Sequence, residues 1–374
     1  MAEKKNQHYV PQFYQRRFSP DGKTIGAYIL EQKKKVDAAA IKHQASEDYF
    51  YTKDTAKAGN VEDALGTLEK FGQEVMAMID ADPRKPLEKK DRFTLYVFTL
   101  LQMGRTMAMA QTLQKTADAM VRQVLREEVR VKRANGDESV KDLTDEVIDS
   151  VVMNLNNPGG FSLGMQAQLI PTCIDLKQKI LINNTDVAFV TSDNPTALYN
   201  MYLERMGQVE SGLGCRGVFL FMPISPKAAV VLYDDKVYKM GGRKQSFVEI
   251  MERNNVLELN RLTAVNSFET ILFNPTLTHT AELEWLGEQS DRYTPAEKIE
   301  EINGIVAGSG NKIIGTHNIG MECKLRLSFV KYLPKYAAMK PEQFNRQTDL
   351  FREIAYVKDE LIDYYKKMHN NAKS

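Results

Sequence analysis

The chain has 374 residues, 43% hydrophobic and 26% charged, the balance of a globular protein able to bury a sizeable core and, by length, to hold about two domains. Its 50 basic residues against 49 acidic ones leave a net charge of +1, which excludes a chain-wide attraction to nucleic acid or anionic membrane and leaves only local patches. The three cysteines, Cys173, Cys215 and Cys323, show no metal-ligand spacing, and an odd count fits a reduced compartment.

Residues 6–22, NQHYVPQFYQRRFSPDG, crowd His8, Tyr9, Phe13, Tyr14, Arg17 and Phe18 into a short stretch. Terminal segments are usually polar and loosely ordered, so this composition predicts a segment that belongs to the core. Pro11 keeps the residues before it extended or in a turn. The preceding MAEKKNQHY has no following apolar run, unlike a secretory signal. GKTIGAYILEQKKKVDAAAIK predicts two strands around a charged turn at 31–35, and SEDYFY closes that β unit. Asn60 can cap a helix whose apolar stripe is Val61, Leu65, Leu68, Val75, Met76 and Ile79.

The apolar run Phe93–Gly104 is too short for a membrane span, which needs about 20 residues. It predicts a buried helix, continuing as one very long helix or as two joined near Gly104, and a cytoplasmic protein. SVKDLTDEVIDSVVMN predicts a further helix with Ser139 as a cap. NPGGFSLG at 157–164 predicts a loop between a region at 1–156 and a region at 165–374, lobes of one compact unit. KILINNTDVAFVTSDNP predicts a hairpin, and GVFLFMPISPKAAVVLY two apolar strands. FVEIMERNNVLELNRLTAVNSF and AEKIEEINGIV predict helices, CKLRLSFVKYLP a strand, and residues 341–368 an amphipathic helix. The whole predicts an α+β fold, with a helical middle region packed on a mixed, mainly antiparallel sheet.

His8 titrates near neutrality and suits acid/base work or metal binding; a structural histidine in an aromatic cluster is the alternative. Arg16 and Arg17 could meet carboxylate or phosphate. In FVTSDNP an apolar strand runs into Asp193 and Asn194, where ligands often sit, although the same residues are turn formers. Gln102 and Arg105 share one face of an apolar helix, and a buried guanidinium needs a carboxylate or anion; Glu62, Glu69 or Asp193 could supply it. His43, His279, His317 and His369 stand alone. The glycine-rich SGLGCRG precedes a strand, whereas phosphate loops follow one.

QHYVPQFYQRRFS is similar to the opening signature of the bacterial family catalogued as domain of unknown function 4238. DYFY, VEDALGTLE, QMGRT, TSDNP and MPISPKAAVVL agree with that family in order and spacing. Gln15 stands where the family more often has Leu, and Met107 where Pro commonly follows the Arg–Thr pair. The resemblance implies that His8, Gln12, Glu62, Glu69, Gln102, Arg105, Asp193 and Asn194 match its polar signature positions, and it supplies no activity.

These residues lead us to expect a hydrolase, a metal-dependent phosphodiesterase or nuclease suited to a bacterial phage-defence effector. His8, Asp193 and Arg105 would be catalytic. Gln12, Arg17, Gln102 and Asn194 would bind a nucleic acid or nucleotide. Glu62, Glu69 and Asp193 would hold Mg or Mn, which with an imidazole activates water. The rival expectation is a non-catalytic binding or sensing protein whose polar residues form a structural network. A self-assembling module, a homo-oligomer through the long helices, is the third.

Overall fold

The computed structural model of the chain describes residues 6–51, 55–207, 212–293, 299–305, 312–318, 320–337 and 346. Pro11 splits the aromatic N-terminal stretch: β1 (Asn6–His8) precedes it and the short helix α1 (Gln12–Arg16) follows. The next residues form the predicted hairpin, β2 (Thr24–Ile29) and β3 (Lys34–Ala40). β4 (Ser46–Asp48) pairs with β1 rather than with that hairpin, placing Gln7 opposite Glu47 and His8 opposite Ser46.

α2 (Thr55–Ala81) begins before Asn60, which therefore lies inside the helix rather than capping it. The apolar stretch after it is two helices, α3 (Lys89–Gly104) and α4 (Met107–Ala134). The break falls at Arg105–Thr106, where the Thr106 hydroxyl accepts the Met109 N–H and caps α4. The helix expected from Ser139 contracts to α5 (Asp145–Asp149), because Thr144 supplies the cap and Asp145 and Glu146 fill the first turn. The loop expected at 157–164 is the start of α6 (Pro158–Leu169). Asn157 takes a left-handed φ of 75° and accepts the Gly160 N–H, while Pro158 occupies the first helical turn.

The remaining elements are β5 (Lys177–Asn183), β6 (Thr191–Ser192), β7 (Ala197–Tyr199), α7 (Met201–Glu204), β8 (Phe219–Ser225), β9 (Ala228–Tyr233), β10 (Tyr238–Met240), β11 (Phe247–Ile250), α8 (Arg253–Asn266), β12 (Thr270–Phe273) and α9 (Thr280–Arg292). They are followed by β13 (Ile299–Ile305), β14 (Lys312–Asn318), β15 (Val330–Tyr332) and α10 (Pro334–Ala337).

β5 and β6 do not form the expected hairpin. β5 lies between β9 and β11 in a sheet ordered β11-β5-β9-β8-β7, and β6 is an edge of a second sheet ordered β3-β2-β12-β6. Asn183 closes the segment between them, donating to the carbonyls of Val187 and Pro226. Residues 247–250, expected to be helical, are a strand parallel to β5, as suits the sequence Phe-Val-Glu-Ile. Residues 299–305, also expected to be helical, pair antiparallel with β14. Of the strand expected over 323–334, only Val330–Tyr332 pairs, with β10. The helix expected at 341–368 lies outside the described residues except Arg346, as does His369.

The fold is α+β. β8 and β9 are buried on both faces, which explains their unbroken apolar runs. Leu220, Met222, Ile224, Val230 and Leu232 face one core with Tyr9, Val10, Tyr14, Phe18, Leu65, Met76 and Phe98. Phe219, Phe221, Val231 and Tyr233 face a second core with Val256, Leu259, Leu262 and Val265 of α8. The N-terminal stretch is thus part of the layer covering one face of the sheet. The Tyr14 hydroxyl bonds Thr191 of β6 at 2.7 Å and donates to the Pro223 carbonyl of β8, tying both sheets to α1. Among the described residues no helix is long and apolar enough to cross a membrane.

Candidate functional site

Residues 6–18 are fastened by backbone groups that a short segment cannot satisfy alone. The N–H groups of Tyr9 and Val10 donate to the Ala45 carbonyl at 3.0 and 3.3 Å. Gln15 Nε2 donates to the carbonyls of Val10 at 2.9 Å and Gln44 at 3.1 Å. Gln102 Nε2 of α3 donates to the Tyr9 carbonyl at 2.9 Å. Gln7 Oε1 accepts the Tyr51 N–H at 2.7 Å.

Arg105 holds the next carbonyl along. Its Nη2 donates to His8 O at 3.1 Å and to Glu69 Oε1 at 2.8 Å, and its Nε donates to the Tyr51 hydroxyl at 3.0 Å. Tyr51 Oη itself donates to His8 O at 3.2 Å. Burial works against the Arg105 charge, yet Tyr51 and Glu69 outweigh it and its pKa rises above the ordinary guanidinium value. Burial pushes the Tyr51 phenol up, with Arg105 opposing. Arg105 Nη1 is buried with no hydrogen-bond partner among the described residues.

Glycines bring the supporting helices this close. A Cβ at Gly104 would lie 2.3 Å from Gln166 Cβ, so the end of α3 packs directly on α6. At Gly159 and Gly160 it would lie 2.5 and 2.4 Å from the Phe50 and Tyr51 carbonyl oxygens. Asn157 Nδ2 donates to that Tyr51 carbonyl. The NPGG stretch is therefore a buttress behind Tyr51.

In front of this clamp opens a cleft of about 520 Å³. The N-terminal segment lines it with Gln7, His8, Pro11, Gln12, Phe13 and Arg16, and α2 with Glu62, Asp63, Leu65, Gly66, Glu69, Lys70 and Gln73. Tyr51 and Arg105 complete the wall. Gln12 Nε2 lies 3.3 Å from Nε2 and 3.5 Å from Nδ1 of the half-buried His8 ring, and Gln12 Oε1 accepts Arg16 Nη2 at 2.8 Å. Arg16 and Lys70 are exposed.

His8, Gln12, Glu62, Glu69 and Arg105 thus meet at one cleft; Asp193, Asn194, Arg17 and Gln102 do not line it. Asp193 Oδ1 accepts the Phe268 N–H at 2.9 Å, and Oδ2 accepts those of Glu269 and Thr270 at 2.8 and 3.0 Å. Burial pushes its carboxyl up to about 7 against those three donors. Asn194 and Asn266 exchange amide-to-carbonyl bonds at 2.9 and 2.6 Å. Arg17 donates to the Ile224 carbonyl and bonds Asp80 at 2.8 Å. These four fasten elements together. Among the described residues no three His, Cys, Asp or Glu side chains form a group able to hold a metal ion. Sequence reasoning missed Tyr51, Lys70 and Gln73 as cleft residues. Lys70 and Gln73 follow Gly66 at i+4 and i+7 on one helix face, a spacing that could have flagged them.

The model of the family described as protein of unknown function (DUF4238) matches residues 6–276, a span that contains every cleft residue named above. No curated protein and no solved structure matches the chain.

Proposed function

The chain belongs to the DUF4238 family, whose description assigns no chemistry, and from the cleft we propose a hydrolase acting on a phosphate ester, a phosphodiesterase or nuclease. One observation carries the reading: the His8 backbone is locked from behind by Arg105 and Tyr51, while its ring sits in an open cleft beside Gln12 and two exposed cations.

His8 takes a proton from the attacking water and returns it to the leaving oxygen. Gln12 orients the ring. Arg16 and Lys70 supply positive charge for the phosphate oxygens. Arg105 is a positioning residue, since its guanidinium is spent on His8 O, Tyr51 and Glu69. Mg or Mn is often held by one or two carboxylates plus substrate phosphates; Glu62 offers such a carboxylate in the cleft, while Glu69, two turns along α2, is engaged by Arg105, and the ion would neutralise phosphate charge when bound.

The test is incubation of the full chain with mixed RNA, DNA and nucleotides, with Mg, with Mn and with chelator. His8→Ala is expected to lower turnover about 100-fold or more with the thermal midpoint retained. Turnover equal in wild type and His8→Ala, or absent under every condition, overturns the proposal. The buried Arg105, Gln102 and Asp193, each hydrogen-bonded to other groups of the protein, favour the second reading, a binding protein without turnover. Ligand binding in the cleft with no product is the result that selects it.

A further inference from the structure

α6 is apolar on the side that meets solvent. Its sequence, PGGFSLGMQAQL, contains no charged residue. One side packs inward: Gly159, Ser162 and Gln166 are buried, and Leu163 and Ala167 join the core. The other side presents Phe161, Met165 and Leu169, which are 57%, 43% and 39% exposed. They stand at i, i+4 and i+8 and so form one stripe, about 12 Å long at the helical rise. A surface helix carries polar and charged residues on its outer face, whereas a helix apolar on every side is covered on every side. Aligned exposed apolar side chains of this kind mark an interaction surface.

The chain itself supplies a cover. Arg346 is buried and held beside the end of α6. Its guanidinium pairs with Asp175 and donates to the carbonyls of Thr172, at 3.3 Å, and Leu213. Its backbone N–H donates to the Gly214 carbonyl at 2.9 Å. Thr172 is only three positions beyond Leu169, where the stripe ends. Residues 350–368, outside the described residues, carry Leu350, Ile354, Val357, Leu361, Tyr364 and Met368. At a helical period these share one face, and Arg352, Asp359, Asp363 and Lys366 fall on the opposite one. The three residues between, 347–349, can reach about 10 Å. So short a tether gives the segment an effective concentration of about millimolar, an advantage that a second copy of the chain lacks.

We infer that residues 350–368 dock as an amphipathic helix along α6, antiparallel to it, with their apolar face on Leu169, Met165 and Phe161. The stripe is then an intramolecular docking surface, and the uncharged sequence of α6 is that of a helix covered on both sides.

Hydrogen exchange of the full chain, read by mass spectrometry, tests this, with light scattering for the oligomeric state. The amides of 350–368 in wild type are expected to exchange about tenfold or more slowly than in Phe161→Asp/Met165→Asp. Met120→Asp/Val124→Asp, at an exposed apolar pair on α4, should leave that protection unchanged. Leu361→Asp leaves α6 untouched; it should lose the protection and lower the thermal midpoint as much as the α6 variant does, and the two combined should lower it no further. Phe161→Ser/Met165→Ser serves if the aspartates prevent folding. Equal exchange in wild type and the α6 variants, loss of protection in the α4 variant, or additive shifts of the midpoint overturns the docking. So does a wild-type dimer that the α6 substitutions dissociate, which would assign the stripe to a second copy.

Discussion

The Arg105–Glu69 pair makes an asymmetric prediction. The Arg105 side chain is 3% exposed and that of Glu69 28%. At an effective dielectric of about 20, opposite charges about 4 Å apart attract by about 4 kcal/mol. Glu69→Ala leaves a buried guanidinium whose remaining described partners, His8 O and Tyr51 Oη, are neutral; stranding a buried charge costs about 3–5 kcal/mol. Arg105→Met strands only a carboxylate that water already reaches. His8 O keeps its bond from Tyr51, the unpartnered Nη1 disappears, and the thioether fills much of the volume. Its cost is expected to be about 1–3 kcal/mol, the loss of hydrogen bonds alone. The less buried partner is thus the more expensive to remove. Urea denaturation followed by circular dichroism and by fluorescence, with coincident transitions as the check on two-state behaviour, gives both values and that of the double variant. The double should cost about 2 kcal/mol less than the sum. Arg105→Met equal to or worse than Glu69→Ala, or additivity within about 0.5 kcal/mol, refutes the argument.

Two further outcomes follow from close contacts. Gly160→Ala would put a Cβ 2.4 Å from the Tyr51 carbonyl oxygen, forcing backbone to move at a cost of about 1–3 kcal/mol; Gly164→Ala, with open space around it, should leave the melting temperature unchanged or raised. Asp193→Asn turns an amide NH₂ toward backbone N–H donors and is expected to cost about 1–3 kcal/mol. Because burial holds the folded Asp193 carboxyl at about 7, above its unfolded value of about 3.9, its contribution to stability is complete in acid and is lost as pH rises toward 7. Wild-type stability should fall across that window relative to Asp193→Asn, as denaturation at several pH values would show; parallel profiles count against it.

The fold class and the burial of Tyr9, Val10, Tyr14 and Phe18 were legible because both rest on bulk apolar content. Tyr14 and Phe18 have nowhere to go but a core, and the paired runs of β8 and β9 are apolar on both faces. The need of Arg105 for a carboxylate was legible as well, since a cation in an apolar helix has few solutions. What misled were residues with two uses. Asn157, Pro158, Gly159 and Gly160 punctuate loops, yet here they form a cap, a helix start and two close-approach positions. The isoleucines of 299–305 recur every three residues as in a helix, but the stretch pairs with β14. Asp193 at a strand end reads as a ligand-facing carboxylate until three backbone N–H groups from 268–270 are seen to occupy it, and no local pattern announces a partner 75 residues away.

Whether His8 is chemistry or architecture turns on which part of the residue is held. The backbone of His8 is held on two sides: it pairs with Ser46 across β1 and β4, and its carbonyl takes Arg105 and Tyr51. The ring extends to the cleft side, next to an amide whose own oxygen is fixed by Arg16. Glu69 neutralises the Arg105 charge, and Arg16 and Lys70 are the exposed cations among the described residues that line the cleft. On the hydrolase reading proposed above, a held main chain carrying a ring into an open, charged cleft suits positioned proton transfer. A network serving stability alone would gain more by turning the same imidazole inward, toward the aromatic cluster of Tyr9, Phe50 and Tyr51.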